Sequence, residues 1–282
     1  MNELKNQIVN LKKTIFKITK NVCGSDSENK KLAFKAFVQL ALHTGIHTLG
    51  ERYAHHGLPS SMINHHINVG EALIQYEGKH KDLEFIELDS LIESVNLYNN
   101  IVKQNEPFLD ILSLLAEEIT ISKAQAFSRG QFMTPPDLAQ FVVELLDAKN
   151  DKNNEHKISD ICVGYGALIL AKINRAFKEN PQSLCKLEIL INDLDPFMCN
   201  VAALQIISNT VNNNIDVKQL VVLCSDAIKQ YKTGEVSFVI KYRTPELVIK
   251  DIERIRGEKA VQKVIEETKL LLDFLHESVG AA

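Results

Sequence analysis

Two short apolar runs constrain this chain more than any other feature. Ile158-Ser159-Asp160-Ile161 passes through Cys162-Val163 into Gly164-Tyr165-Gly166, and Ile189-Leu190-Ile191-Asn192 passes into Asp193-Leu194-Asp195-Pro196. Each run is too short for a stable helix, is rich in isoleucine and ends on a turn signal, as a buried strand does. Strands are therefore expected over 157–162 and 186–192, with a third over 219–224 and a weaker fourth over 236–241. Helical patterns fill the intervals 167–178 and 196–208. Strands separated by helices of that length predict right-handed βαβ units and a mostly parallel sheet flanked by helices.

The first part of the chain has a different pattern. Leu4, Ile8, Leu11, Ile15 and Ile18 form one apolar stripe at helical spacing. A second helix should start after the capping cluster Ser25-Asp26-Ser27 and turn Leu32, Phe37, Leu40 and Ala41 inward. Gly57-Leu58-Pro59-Ser60 reads as a turn, followed by a helix to about residue 76, with further helices over 88–103 and 108–119. Helices alone bury their stripes in a bundle, so an all-α N-terminal domain over 1–125 and an α/β domain over 126–282 are expected. The α/β part opens at Gly130-Gln131-Phe132-Met133-Thr134-Pro135-Pro136, where Thr134 and Asp137 form a capping pair and Pro135 suits the first helical position. That helix carries Leu138, Phe141, Val142, Leu145 and Leu146 on one face. From Pro245 to Ser278 the tail reads as one or two charged helices, with Gly257 a candidate break.

In an open α/β sheet, ligands bind beyond the carboxyl ends of the strands. Gly164 and Gly166 leave bare backbone there, and Asp160 can order the turn or accept from a ligand's ammonium group. Asp193, at the end of the second strand, is placed to accept both hydroxyls of a ribose, while Asp195 stands in the capping position ahead of Pro196. The order of these segments resembles the S-adenosylmethionine site of N6-adenine DNA methyltransferases, in particular the modification subunits of type I restriction-modification systems. The resemblance covers about residues 120–245. It implies a Rossmann-like S-adenosylmethionine-dependent methyltransferase domain and assigns the ribose to Asp193. It also implies that Asp226 accepts from the cofactor's adenine amino group. Phe132, Thr134 and Pro135 would then meet the methionine end.

The chain departs from that family in two places. Ile161, Cys162, Val163 and Tyr165 occupy a turn that usually reads Asp-Pro-x-Cys-Gly-Ser-Gly, and Tyr165 is bulky for a turn lying against a ligand. The Asn-Pro-Pro-aromatic loop, which grips the flipped adenine by its amino group, should follow the fourth strand. Lys241-Tyr242-Arg243-Thr244-Pro245 stands there instead, leaving Thr244 as a weak acceptor and Tyr242 as a stacking candidate. Two readings follow: an S-adenosylmethionine-binding protein that is inactive in methyl transfer on its own or is part of a multi-subunit modification system, or a non-enzymatic module that mimics or regulates a restriction-modification subunit.

A formal net charge of -4 leaves DNA binding to a local positive face or to a partner protein supplying target recognition. Oligomers or hetero-complexes fit both readings. Five cysteines without CxxC spacing read as buried free thiols in a reducing cytoplasm, Cys162 and Cys224 among them as core thiols. No apolar run is long enough for a membrane span. His43 and His47 are one helical turn apart within a histidine-rich stretch that includes His55, His56, His65 and His66. Thr44 stands where a His-Glu-x-x-His zinc motif needs glutamate, so surface or interhelical roles are expected and no metal.

Overall fold

In the computed structural model, residues 2–73, 85–119, 133–147, 156–230 and 237–280 are described, the last side chains only to residue 269. The N-terminal half forms α1 (Asn2–Lys17), α2 (Asp26–His55), α3 (Ser60–His66), β1 (Ile67–Val69), α4 (Leu88–Gln104) and α5 (Ile111–Ile119). Then come α6 (Pro136–Asp147), β2 (Lys157–Asp160), α7 (Ala167–Glu179), β3 (Glu188–Asp193) and α8 (Pro196–Asn213). The chain continues through β4 (Gln219–Cys224), β5 (Ser237–Arg243) and α9 (Pro245–Gly280).

Most of these elements begin where their residue chemistry directs. Ser25 caps α2 through a capping box, accepting from Glu28 N–H while the Glu28 carboxylate takes the Ser25 N–H. The α1 stripe is buried at Ile8, Leu11 and Ile15, and continues to Ile18. At α6 the helix begins one residue later than expected, so Pro136 rather than Pro135 takes the first helical position. Gly257 does not interrupt α9.

The sheet order is β1-β5-β4-β3-β2. β2 with β3 and β3 with β4 are parallel, joined through α7 and α8, whereas β4 with β5 and β5 with β1 are antiparallel. The sheet is thus mixed, and the expectation of a mostly parallel one is corrected. Between β4 and β5 the described residues 225–230 contain no helix, and a parallel return needs a long crossover. The expectation of helices alone over 1–125 is corrected too, because β1 adds a strand to the sheet edge. Two β-branched residues flank Asn68, and the chain leaves the edge at Gly70, where a Cβ would lie 1.9 Å from Phe238 O.

α8 is the centre of the molecule. Every residue from Cys199 to Thr210 is buried, because the helix lies between the sheet and α2, α4 and α5. Ile189, Ile191, Leu220, Val222 and Ile240 fill the packed face of the sheet, while Ser159, Leu190 and Lys241 are exposed. One continuous group of buried side chains runs from Ile8 in α1 to Val248 in α9, so helical layer and sheet share a core. The expected domain boundary at 125/126 lies outside the described residues.

Candidate functional site

The parallel strands β2, β3 and β4 end together, and the turns after them are tied by one buried side chain. Asn192 donates its amide to Ile161 O at 3.0 Å and to Ser225 O at 3.1 Å, and accepts from Ser225 Oγ at 2.7 Å. It therefore fastens the turn after β2 and the turn after β4 to the end of β3. Sequence reasoning passed over Asn192. The available signal was a carboxamide in an otherwise apolar strand, where an unpaired polar group is costly and so must be bonded.

The glycine turn follows from this anchorage. Val163 N–H donates to Asn192 O at 2.9 Å, and Gly166 N–H closes the turn on Val163 O at 2.8 Å. Gly164 and Gly166 take φ of 53° and 102°, values that a side chain makes unfavourable. Among the described residues, none comes within 4 Å of a Cβ placed at Gly164, so that backbone faces open space between them. Tyr165 turns the other way. Its ring stacks on Phe34 of α2 with centroids 6.5 Å apart and planes 9° from parallel, and burial pushes its phenol well above the ordinary range. The bulky residue of the turn thus packs into the helical layer rather than over the open side.

Four carboxylates stand around these strand ends. Asp193 Oδ2 accepts from Gly164 N–H at 2.9 Å and Oδ1 from Asp195 N–H at 3.0 Å. A carboxylate has about four acceptor positions, so each Asp193 oxygen keeps one after these bonds. Asp195 caps α8, accepting from Phe197 N–H at 2.8 Å. Asp160 accepts from Cys162 N–H at 3.0 Å, and burial, with the Asp193 charge nearby, raises its pKa. Asp226 accepts from Lys229 N–H at 3.0 Å and Ile228 N–H at 3.1 Å, bonds that lower its pKa. Asp226 Oδ2 lies 3.4 Å from Lys229 Nζ, whereas among the described residues no ion pair includes Asp160, Asp193 or Asp195, so carboxylates outnumber cations at the crevice.

The structure gathers Asp160, Gly164, Gly166, Asp193 and Asp226 at one edge of the sheet. Thr134 is half-buried and Pro135 exposed at the start of α6, and Phe132 lies outside the described residues. Tyr242 and Thr244 are not brought to the crevice. The register pairs Cys224 with Ser237 and Gln219 with Arg243, so β5 runs away from the strand ends that carry the glycine turn. At about 3.3 Å per residue, Thr244 is roughly 20 Å from the crevice. Both residues are also buried. Cys162 is exposed and Cys224 half-buried, so neither is the expected core thiol; Cys199 is buried. His66 stacks on Tyr53 at 6.2 Å, and among the described residues no three His, Cys, Asp or Glu groups gather as a metal cage.

Residues 110–244 match the family model described as N-6 DNA Methylase. That segment belongs to the N6-adenine DNA methyltransferase family. The match takes in every described crevice residue and ends at Thr244. The comparison with curated proteins gave no match. Among the described residues no helix is long and apolar enough to cross a membrane.

Proposed function

We propose that this methyltransferase-family domain binds S-adenosylmethionine in the crevice at the carboxyl ends of β2, β3 and β4, and that the chain alone does not transfer methyl groups. Asp193 receives the ribose hydroxyls, Gly164 admits the nucleoside to the backbone while Gly166 shapes the turn that receives it, and Asp226 takes the adenine amino group. Phe132, Thr134 and Pro135 serve the methionine end. The carboxylate-rich crevice suits a ligand with a sulfonium and an ammonium group. The observation that carries the reading is the pairing of Gly164 N–H with Asp193. It orients the carboxylate and leaves an acceptor position on each oxygen, beside a glycine whose missing Cβ faces open space among the described residues.

Catalysis on adenine needs acceptors on the amino hydrogens and a stacking ring at the cofactor's methyl. Tyr242 and Thr244 face neither, so the base-gripping loop and target recognition come from a partner protein in a cytoplasmic DNA modification system of the restriction-modification kind. The same distance favours the second reading, a non-enzymatic module that mimics or regulates such a subunit. Tritiated S-adenosylmethionine separates them. Ultraviolet cross-linking should label the chain in peptides around 160–166 or 193–197, with no tritium passed to unmodified DNA. Methylated adenine from the chain alone refutes the inactivity, and absence of any cross-link supports the interaction module.

A further inference from the structure

Gln205 lies in the middle of α8, fully buried, and uses three of its bonding positions on two different parts of the molecule. Its amide donates to the backbone carbonyl of Tyr165 in the glycine turn at 2.8 Å, and to Asp110 Oδ1 at 2.8 Å. Its carbonyl accepts from Leu112 N–H at 3.0 Å. Asp110 and Leu112 bracket the start of α5 in the helical layer.

Two further side chains of the α/β part grip the segment 107–112. Asn174 of α7 donates to Pro107 O at 2.8 Å, and Asn209, one turn beyond Gln205, accepts from Phe108 N–H at 2.7 Å. Asn209 in turn donates to Gln205 O at 2.8 Å, which joins the two clamps. Phe108 takes φ of 63°, a conformation that an aromatic residue keeps only when its surroundings impose it. Asp110 also accepts from Ser113 N–H at 3.1 Å. On the other side, the Tyr165 carbonyl belongs to the peptide that enters Gly166, whose left-handed φ depends on the orientation of that peptide.

We infer that Gln205 is a positioning residue that sets the glycine turn and couples it to segment 107–112, making the helical layer part of the ligand site. The inference rests on the proposed binding crevice for its ligand consequence only; the coupling itself is a property of the protein alone. Gln205→Met keeps the length and apolar stem while removing every bond of the carboxamide. Gln205→Glu keeps the acceptor for Leu112 N–H, loses both donors and sets a second carboxylate against Asp110. Adding Asp110→Asn to Gln205→Glu returns a donor to the 110–205 contact and leaves the Tyr165 carbonyl without its donor.

The test is amide hydrogen exchange by mass spectrometry on the full chain, with S-adenosylmethionine titrations alongside. Gln205→Met should speed exchange about ten-fold or more in peptides covering 107–113 and 161–170, as expected when buried groups lose a partner. Peptides in β3 and β4 should stay at the wild-type rate, which a general loss of stability does not allow. Gln205→Glu with Asp110→Asn should restore 107–113 but not 161–170. Unchanged exchange over 161–170 in Gln205→Met, or recovery of both segments together in the double variant, overturns the coupling. If the wild type binds no S-adenosylmethionine while exchange behaves as described, the proposed ligand falls and the positioning role stands. If the wild type binds, Gln205→Met should weaken binding several-fold, and Gln205→Asn, which keeps a carboxamide, should recover part of it.

Discussion

Replacing Asn192 by leucine removes the side chain that joins the three strand ends. The substitution keeps the branching of the side chain but deletes three hydrogen bonds, leaving Ile161 O, Ser225 O and Ser225 Oγ without that partner. At about 1 kcal/mol net per bond, Asn192→Leu should cost about 3 kcal/mol of stability. Ser225→Ala removes one of the three bonds and should cost about 1 kcal/mol. Because that bond is common to both changes, the double variant should cost about 3 kcal/mol rather than about 4. For a chain of this size the same losses correspond to roughly 6–12 °C and 2–4 °C in Tm. Urea unfolding followed by circular dichroism measures all three variants. If Asn192→Leu is no more destabilising than Ser225→Ala, the carboxamide does not fasten the turns and the anchorage argument is wrong.

Other substitutions probe the crevice and its support. Gly164→Ala introduces a methyl group that meets no atom of the described residues within 4 Å but holds alanine at φ 53°. It should lower stability by about 1 kcal/mol and weaken S-adenosylmethionine binding by more than that; binding at wild-type strength means the ligand lies elsewhere. Asp110→Asn keeps an oxygen for Ser113 N–H and Gln205 Nε2 and removes a carboxylate whose pKa burial has raised. A raised carboxyl pKa means the folded state binds more protons than the unfolded one, so the wild type loses stability as pH rises through the carboxylate range. Asp110→Asn should therefore be more stable than wild type near neutrality, with the gap closing as pH falls; thermal melts between acidic and neutral pH decide it. Arg52→Met should destabilise the fold at low and high salt alike, since Arg52 bonds Asp216 at 2.8 Å and Thr210 O at 3.2 Å in a largely enclosed position. A loss abolished by salt would place that pair in solvent.

Much of the fold was readable from periodicity, and the failures share one cause. The stripe of α1, the capping box of α2, the strand-turn-helix units of β2–α7 and β3–α8 and the range of β4 all follow from local signals. β5 was legible as a strand, but nothing local encodes its direction or its neighbour. Its antiparallel pairing carries Tyr242 and Thr244 to the far end of the sheet. β1 is only three residues long, and its pairing with β5 is a contact across far more sequence than a local window spans. In α6 the apolar face expected from the sequence is not the packed one: Ala139 and Val143 are buried, while Leu138 is 49% and Phe141 55% exposed. Small residues let α6 approach α7 closely, and the larger side chains take the outer positions. At the site, Asp193, Asp195 and the two glycines could be placed because strand ends fix their neighbours. Asn192 and Gln205 act through partners distant in sequence, and only the folded chain brings those partners together.

Calorimetric titration of S-adenosylmethionine into wild type, Asp193→Ala and Thr244→Val tests the central claim most directly. The account predicts saturable heat for wild type and Thr244→Val, and none for Asp193→Ala. Equal binding by wild type and Asp193→Ala, or loss of binding in Thr244→Val alone, would contradict it.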